Sequence, residues 1–323
     1  MFAAYAARFS ADDPVSALEL GERPDPQPRE GWATVRLRAA ALNHHDLWSL
    51  RGVGLREEQL PMVLGCDGAG IDEDGNEVIV HAVIGSDDFR GDETMDPKRS
   101  LLSERHDGTL ADLVLVPRRN LVPKPAEFSW AEAACLPTAW LTAYRMLFTQ
   151  SGAKPGATVL VQGAGGGVST ALIALGQAAG YRIWVTSRDP DKRERAVALG
   201  ADAAFESGAR LPERVDAVME TVGAATWDHS LKSLTQGGTV VVSGATGGPE
   251  AVTDVRRVFF LQLRVVGSTM GTRDELQRLV QFCLQTGVRP IVDASMPLED
   301  ARAGFAKLAA GDVFGKVVLT RPT

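Results

Sequence analysis

VLVQGAGGGVSTALIALGQAAG, from Val159 to Gly180, holds three signals in one run. Val159 to Val161 is the apolar core of a strand. Gly163, Gly165, Gly166 and Gly167 make a glycine-rich turn, and a helix of small and apolar residues follows. A turn without side chains lets backbone approach a pyrophosphate, whose charge then rests on the amides and dipole of the helix start. The strict G-x-G-x-x-G spacing is not kept, because Val168 or Ser169 stands at its last position. The strand–turn–helix setting therefore carries the reading.

The stretch opens an alternating series. TVLVQG, RIWVTS, VDAVME and GTVVVSG read as strands separated by helices, the signature of a parallel sheet with crossover helices. Asp189 and Pro190 supply an N-cap and a first-turn proline, and Gly200 closes the same helix. The second strand ends VTSRDPDK (Val185 to Lys192). A site for NAD places a carboxylate at that strand end to hold the ribose hydroxyls. Ser187 and Arg188 stand there instead, with Lys192 and Arg193 one turn on. A hydroxyl and cations suit a 2′-phosphate, so the expected cofactor is NADPH.

Working outward, the first third is mostly β. Residues 33–39 and 77–84 each read as one strand, and 110–117 as another ending at a proline. Residues 85–108 form a polar excursion, read as a lid. SWAE (Ser129 to Glu132) and TRDE (Thr272 to Glu275) are capping boxes, and Pro137 is expected to break the helical region after the first. The closing FGKVVL (Phe314 to Leu319) is a strand that must pair outside the central unit.

Composition narrows the function classes. A net charge of −7 over 323 residues argues against a polyanion partner, so no nucleic acid is expected. No run approaches the roughly 18 apolar residues of a membrane span, and the first residues make no convincing signal peptide. Three cysteines without CxxC spacing exclude a four-cysteine zinc site and suit a reducing compartment; the expected location is cytoplasmic.

Together AALNHHDLW, LGCDGAG, GTLADLVLVP, EAACLPTAWLTAYRML, VLVQGAGGGV, LGAD, VVVSGATGG, VVGSTMGT and FGKVVL run along essentially the whole chain, which resembles the medium-chain dehydrogenase/reductase superfamily. The nearest branch looks like the zinc-lacking quinone oxidoreductases and related enone reductases. The resemblance implies an α/β protein: a Rossmann doubly wound parallel sheet at 126–267, plus a split, mostly β GroES-like catalytic domain at 1–125 and 268–323.

The resemblance also assigns the ALNHHDLWSLRG stretch (Ala41 to Gly52). Zinc-dependent relatives carry a cysteine at the position of Asn43, His-Glu at Cys66 and Asp67, and a third ligand at Thr138. Asn and Thr are poor zinc donors, so the metal site reads as overwritten, with Cys66, Asp67 and a histidine as the remaining zinc alternative. His45 falls where relatives place a proton-relaying Ser or Thr; it reads either as a proton donor or as a histidine satisfied by backbone. His44 reads as structural, and Asp46 as an orienter or helix cap. Trp48 replaces a common tyrosine and would offer a flat wall for a planar substrate. Cys66, Cys135 and Cys283 read as core residues. Thr142 and Val168 match nicotinamide-packing positions, and Ser243 and Gly244 end the strand beneath that ring. Residues 261–267 match the edge strand through which family dimers pair.

The expectation is an NADPH-dependent, metal-independent reductase of quinones or α,β-unsaturated carbonyl compounds, with Asn43 as oxyanion donor. The alternatives are a zinc alcohol dehydrogenase and a non-catalytic NADPH sensor or scaffold.

Overall fold

The computed structural model describes residues 1–321. The chain forms two compact units. One comprises Met1–Ala139, Thr272–Leu284 and Pro290–Thr323, the other Trp140–Gly271 and Gln285–Arg289.

In the second unit six parallel strands, β1 (Thr158–Gln162), β2 (Arg182–Ser187), β3 (Ala203–Glu206), β4 (Val215–Glu220), β5 (Leu234–Val242) and β6 (Arg264–Gly267), are ordered 3-2-1-4-5-6. That is the doubly wound dinucleotide-binding order, with its switch point between β1 and β4. The central strands read as continuous apolar runs because helices cover both faces. Leu160, Trp184, Val218 and Val240 are buried in one cluster with Leu231 and Leu234.

Helix α1 (Gly167–Ala178) follows β1, and α2 (Pro190–Leu199) follows β2. Asp189 Oδ1 accepts from the amides of Asp191 and Lys192 at 2.9 and 3.3 Å, and Gly200 ends α2 at φ 120°. At Gly176 a Cβ would lie 2.4 Å from Ile183 Cδ1, so glycine lets α1 settle onto β2.

The first unit is built on a seven-stranded sheet whose long member is Trp32–Ala41. Asp67–Asp72, Leu113–Pro117 and the closing strand Lys316–Thr320 all pair antiparallel with it. The tail thus finds its partner at the far end of the chain, with Val318 opposite Ala41. Leu18, Leu42, Leu50, Leu64, Leu110, Phe305 and Leu319 share its core.

Three expectations change. Residues 77–84 form two strands, Glu77–Val80 and Val83–Ile84. Asn120 Nδ2 donates to the carbonyls of His81 and Val83 at 2.8 and 2.7 Å, which pulls the chain out of the first ladder. Pro137 does not end the helical region. The chain instead widens into π-type turns at Leu136–Trp140, which contains the proline, and at Arg145–Gln150. The helix Trp130–Ala134, closed by the Ser129–Glu132 box as expected, lies in the first unit and packs on Trp32–Ala41 and Asp67–Asp72.

Candidate functional site

In the first unit, Ala41 ends its strand and Asn43 caps the helix His44–Leu50. Asp46 is wholly buried and accepts from the amides of Asn43 and Gly65 at 2.8 and 3.1 Å. Burial pushes its carboxyl up to about 6, against the pull of His45, the Asn43 amide and Lys316. The expected cap is therefore present, and it also ties the helix start to the Gly65 turn.

Beside it lies a buried ion pair. Lys316 Nζ donates to Asp67 Oδ2 at 2.9 Å, to Asn43 Oδ1 at 2.6 Å and to the Leu42 carbonyl at 2.7 Å. Asn43 Nδ2 donates to Asp67 Oδ2 at 2.9 Å and to the Ala41 carbonyl at 3.3 Å. Both amide hydrogens of Asn43 are thus directed inward. Asp67 Oδ1 has no partner among the described residues.

His45 faces the other way. Its Nε2 lies 3.0 Å from Glu104 Oε1, and its Nδ1 lies 3.6 Å from Cys66 Sγ and 3.5 Å from Ser103 Oγ. Burial alone would depress the imidazole. The Cys66 sulfur, the Glu104 carboxylate and Asp46 outweigh it and hold the ring well above the usual histidine range. His44 goes the opposite way, lowered by burial with Lys316 and Arg51 nearby. The two adjacent rings are thus shifted in opposite directions. Trp48 is half-buried on the same helix.

A zinc ion fits these residues poorly. A catalytic zinc takes about three protein donors, and among the described residues no three His, Cys, Asp or Glu side chains converge as such a set. The Asn43 oxygen is already bonded to an ammonium, and Cys66 Sγ is turned toward His45 and the Leu102 carbonyl. Cys135 is pushed up to about 12 by burial and is a core thiol, and Cys283 is equally buried.

In the second unit the glycine turn leaves β1 at Gly163, with φ 83°, and enters α1 through Gly166 with no side chain capping the first turn. The amides at Gly167 and Val168 are therefore left without a side-chain cap at the helix start, a geometry suited to an anion. Ser187 Oγ accepts from the Asp189 amide at 3.1 Å, and Arg193 reaches back to the Ser187 carbonyl at 2.7 Å. Arg188 is exposed at the end of β2 and Lys192 is half-buried one turn into α2. No carboxylate stands at the strand end itself, since Asp189 is spent capping α2. Ser243 Oγ meets Met146 Sδ at 3.0 Å, and a Cβ on Gly244 would lie 2.8 Å from the Thr221 carbonyl. Thr142 is buried in the short helix Leu141–Tyr144.

Lys316, Ser103 and Glu104 had no assigned role in the sequence. A single lysine in the apolar run FGKVVL was a legible signal for a buried charge. Ser103 and Glu104 carried none, since nothing local distinguishes them within the excursion.

Two family models match. Residues 29–126 match the alcohol dehydrogenase GroES-like domain, and residues 167–285 match zinc-binding dehydrogenase. The crystal structure of an NAD-dependent alcohol dehydrogenase is 33% identical, with a TM-score of 0.91 and complete coverage of both chains. The acryloyl-coenzyme A reductase of Metallosphaera sedula is 29% identical over 94% of this chain and 96% of its own. The alcohol dehydrogenase of Geobacillus stearothermophilus is 27% identical over the same shares. No helix among the described residues is long and apolar enough to cross a membrane. With the 3-2-1-4-5-6 sheet, the split β unit and both family models in agreement, the chain belongs to the medium-chain dehydrogenase/reductase superfamily.

Proposed function

We propose that the chain is an NADPH-dependent, metal-independent reductase of α,β-unsaturated carbonyl compounds, acyl thioesters included, with quinones as a second acceptor class. The observation that carries this reading is the His45 imidazole, held between Glu104 and Cys66. The name of the Metallosphaera relative supports the acceptor class.

The Gly163–Val168 turn and the start of α1 hold the cofactor pyrophosphate. Ser187, Arg188 and Lys192 hold the 2′-phosphate, and Thr142, Val168, Ser243 and Gly244 pack about the nicotinamide. NADPH bound there would supply the hydride for the β-carbon of the acceptor. Negative charge would then develop on the carbonyl oxygen, where a preformed hydrogen-bond donor would stabilise it. His45 takes that role together with proton donation. Asn43, with both amide hydrogens turned inward, instead fixes the Lys316–Asp67 pair and the helix start from which His45 projects. Trp48 offers an apolar wall to a planar acceptor.

The test is loss of NADPH absorbance with crotonyl-coenzyme A, a cyclic enone, an ortho- and a para-quinone and an aldehyde, with NADH in parallel. Turnover of an unsaturated carbonyl that prefers NADPH and survives a chelator is expected. The second reading, a zinc alcohol dehydrogenase, is favoured by the names of two relatives. It predicts aldehyde turnover that the chelator abolishes.

Assembly through β6 is part of the same proposal. Among the described residues β6 pairs on one side only, with β5, and Val265 is half exposed at its outer edge. Val255, Phe259 and Phe260 are exposed on the helix just before it. A second copy adding its own edge would satisfy the open backbone and cover these side chains. Sedimentation is expected to give twice the 34.5 kDa chain mass, and Val265→Lys to return the monomer. A wild-type monomer at micromolar concentration would remove this part.

A further inference from the structure

Three central strands of the second unit finish their apolar runs on a buried polar side chain. Gln162 is the last residue of β1, Thr186 the last but one of β2 and Glu220 the last of β4. A buried polar group is costly unless it is bonded, and these three are linked to one another. Thr186 Oγ1 donates to Gln162 Oε1 at 2.5 Å. Gln162 Nε2 donates to Ser230 Oγ and to His229 Nδ1, both at 2.9 Å. Ser230 Oγ, on the helix Ala224–Ser233, donates to Glu220 Oε2 at 2.6 Å. His229 Nε2 donates to the Ala209 carbonyl at 2.9 Å, so each ring nitrogen has one assigned role.

These strand ends form the edge at which a doubly wound sheet takes its ligand, and the gap between β1 and β4 is its switch point. The ladder between β1 and β2 has its last rung at Gln162 and Thr186. One residue further the chains part, into Gly163 of the glycine turn and into Ser187. The ladder between β1 and β4 stops earlier, at Val161 and Met219. Beyond it, side chains bridge the switch point: the Gln162–Ser230–Glu220 chain, and the Thr221 hydroxyl on the Gln162 carbonyl at 3.4 Å. Glu220 Oε1 then accepts from the amides of Val222 and Gly223 at 2.8 and 3.0 Å. That turn supports the segment after Gly244, because the Gly247 amide donates to the Val222 carbonyl at 2.6 Å and the Ala224 amide to the Gly248 carbonyl at 2.9 Å.

We infer that Gln162 and Thr186 are positioning residues for the dinucleotide. Through them the glycine turn, the Ser187 end and the segment after Gly244 keep one spacing, matched to a ligand that spans all three. The inference rests on the NADPH reading. Both side chains are fully buried and act through the backbone beside them. A ligand held at one end needs only that end, whereas a ligand held at two gains from their spacing. Loss of the crossbar therefore weakens the spanning ligands and spares the short one, which a mere loss of stability does not do.

The test is calorimetric titration of wild type, Gln162→Met, Thr186→Val and Thr186→Ser with 2′-AMP, 2′,5′-ADP and NADPH. The first ligand reaches the Ser187 end alone, and the other two also carry phosphate to the glycine turn. Gln162→Met and Thr186→Val are each expected to raise Kd about tenfold for 2′,5′-ADP and NADPH, and less than about threefold for 2′-AMP. Thr186→Ser keeps the hydroxyl and is expected to recover most of the affinity. Thr186→Val exchanges one hydroxyl for a methyl, so it carries the comparison if Gln162→Met does not fold. In a folded variant, weakening of all three ligands by one common factor, or of none, overturns the positioning role alone. A wild type that binds neither 2′,5′-ADP nor NADPH overturns the NADPH reading and the positioning role with it.

Discussion

Lys316→Met is expected to cost about 3–5 kcal/mol of stability, the usual penalty for removing one partner of a buried ion pair. Lys316 and Asp67 have side-chain exposures of 2% and 0%, so no water replaces the lost ammonium. Methionine matches the lysine stem in volume, and the packing of the closing strand survives. What remains is a carboxylate with one oxygen on the Asn43 amide and the other without a partner among the described residues. Whole domains hold only about 5–15 kcal/mol, so the variant should unfold at a markedly lower urea concentration. Lys316→Met combined with Asp67→Asn removes the charge as well as its partner and should regain most of the loss. A single variant within 1 kcal/mol of wild type, taken as an order-of-magnitude threshold, would mean the pair is not buried as described.

His45→Gln is expected to lower kcat about 10²–10⁴-fold, the range for losing a positioned proton donor. Glutamine can still donate a hydrogen bond, but it carries neither the proton nor the charge. NADPH affinity, read by fluorescence titration, should hold, because the glycine turn and the Ser187–Lys192 cluster belong to the other unit. The two quantities separate chemistry from binding. If kcat falls less than threefold while the protein binds NADPH normally, His45 is a structural residue. The second possibility read in the sequence, a histidine satisfied by its surroundings, then applies.

Local periodicity carried most of the fold. Alternating strands and helices after residue 157, the glycine turn, the Asp189–Pro190 start and both capping boxes depend on neighbours within a turn or two, and each formed where the pattern put it. The misread places involve partners distant in sequence. Asn120 breaks the run at His81 from about forty residues away, and the turns around Pro137 adjust to packing that no local signal describes.

The candidate site divides the same way. Asn43, His45 and Asp46 lie within four residues of one another, and their types alone marked the stretch as chemical. Whether Asn43 points outward or inward depended on Lys316, which lies 273 residues away. The surroundings of His45 depended on Cys66, 21 residues away, and on Glu104, 59 residues away on the excursion. A side chain's type and its place on an element are local properties, and sequence by itself determined them here. Its protonation and hydrogen-bond direction follow from the charges and burial around it. The tertiary structure decided those, because only folding brings Lys316 to Asp67 and Glu104 to His45.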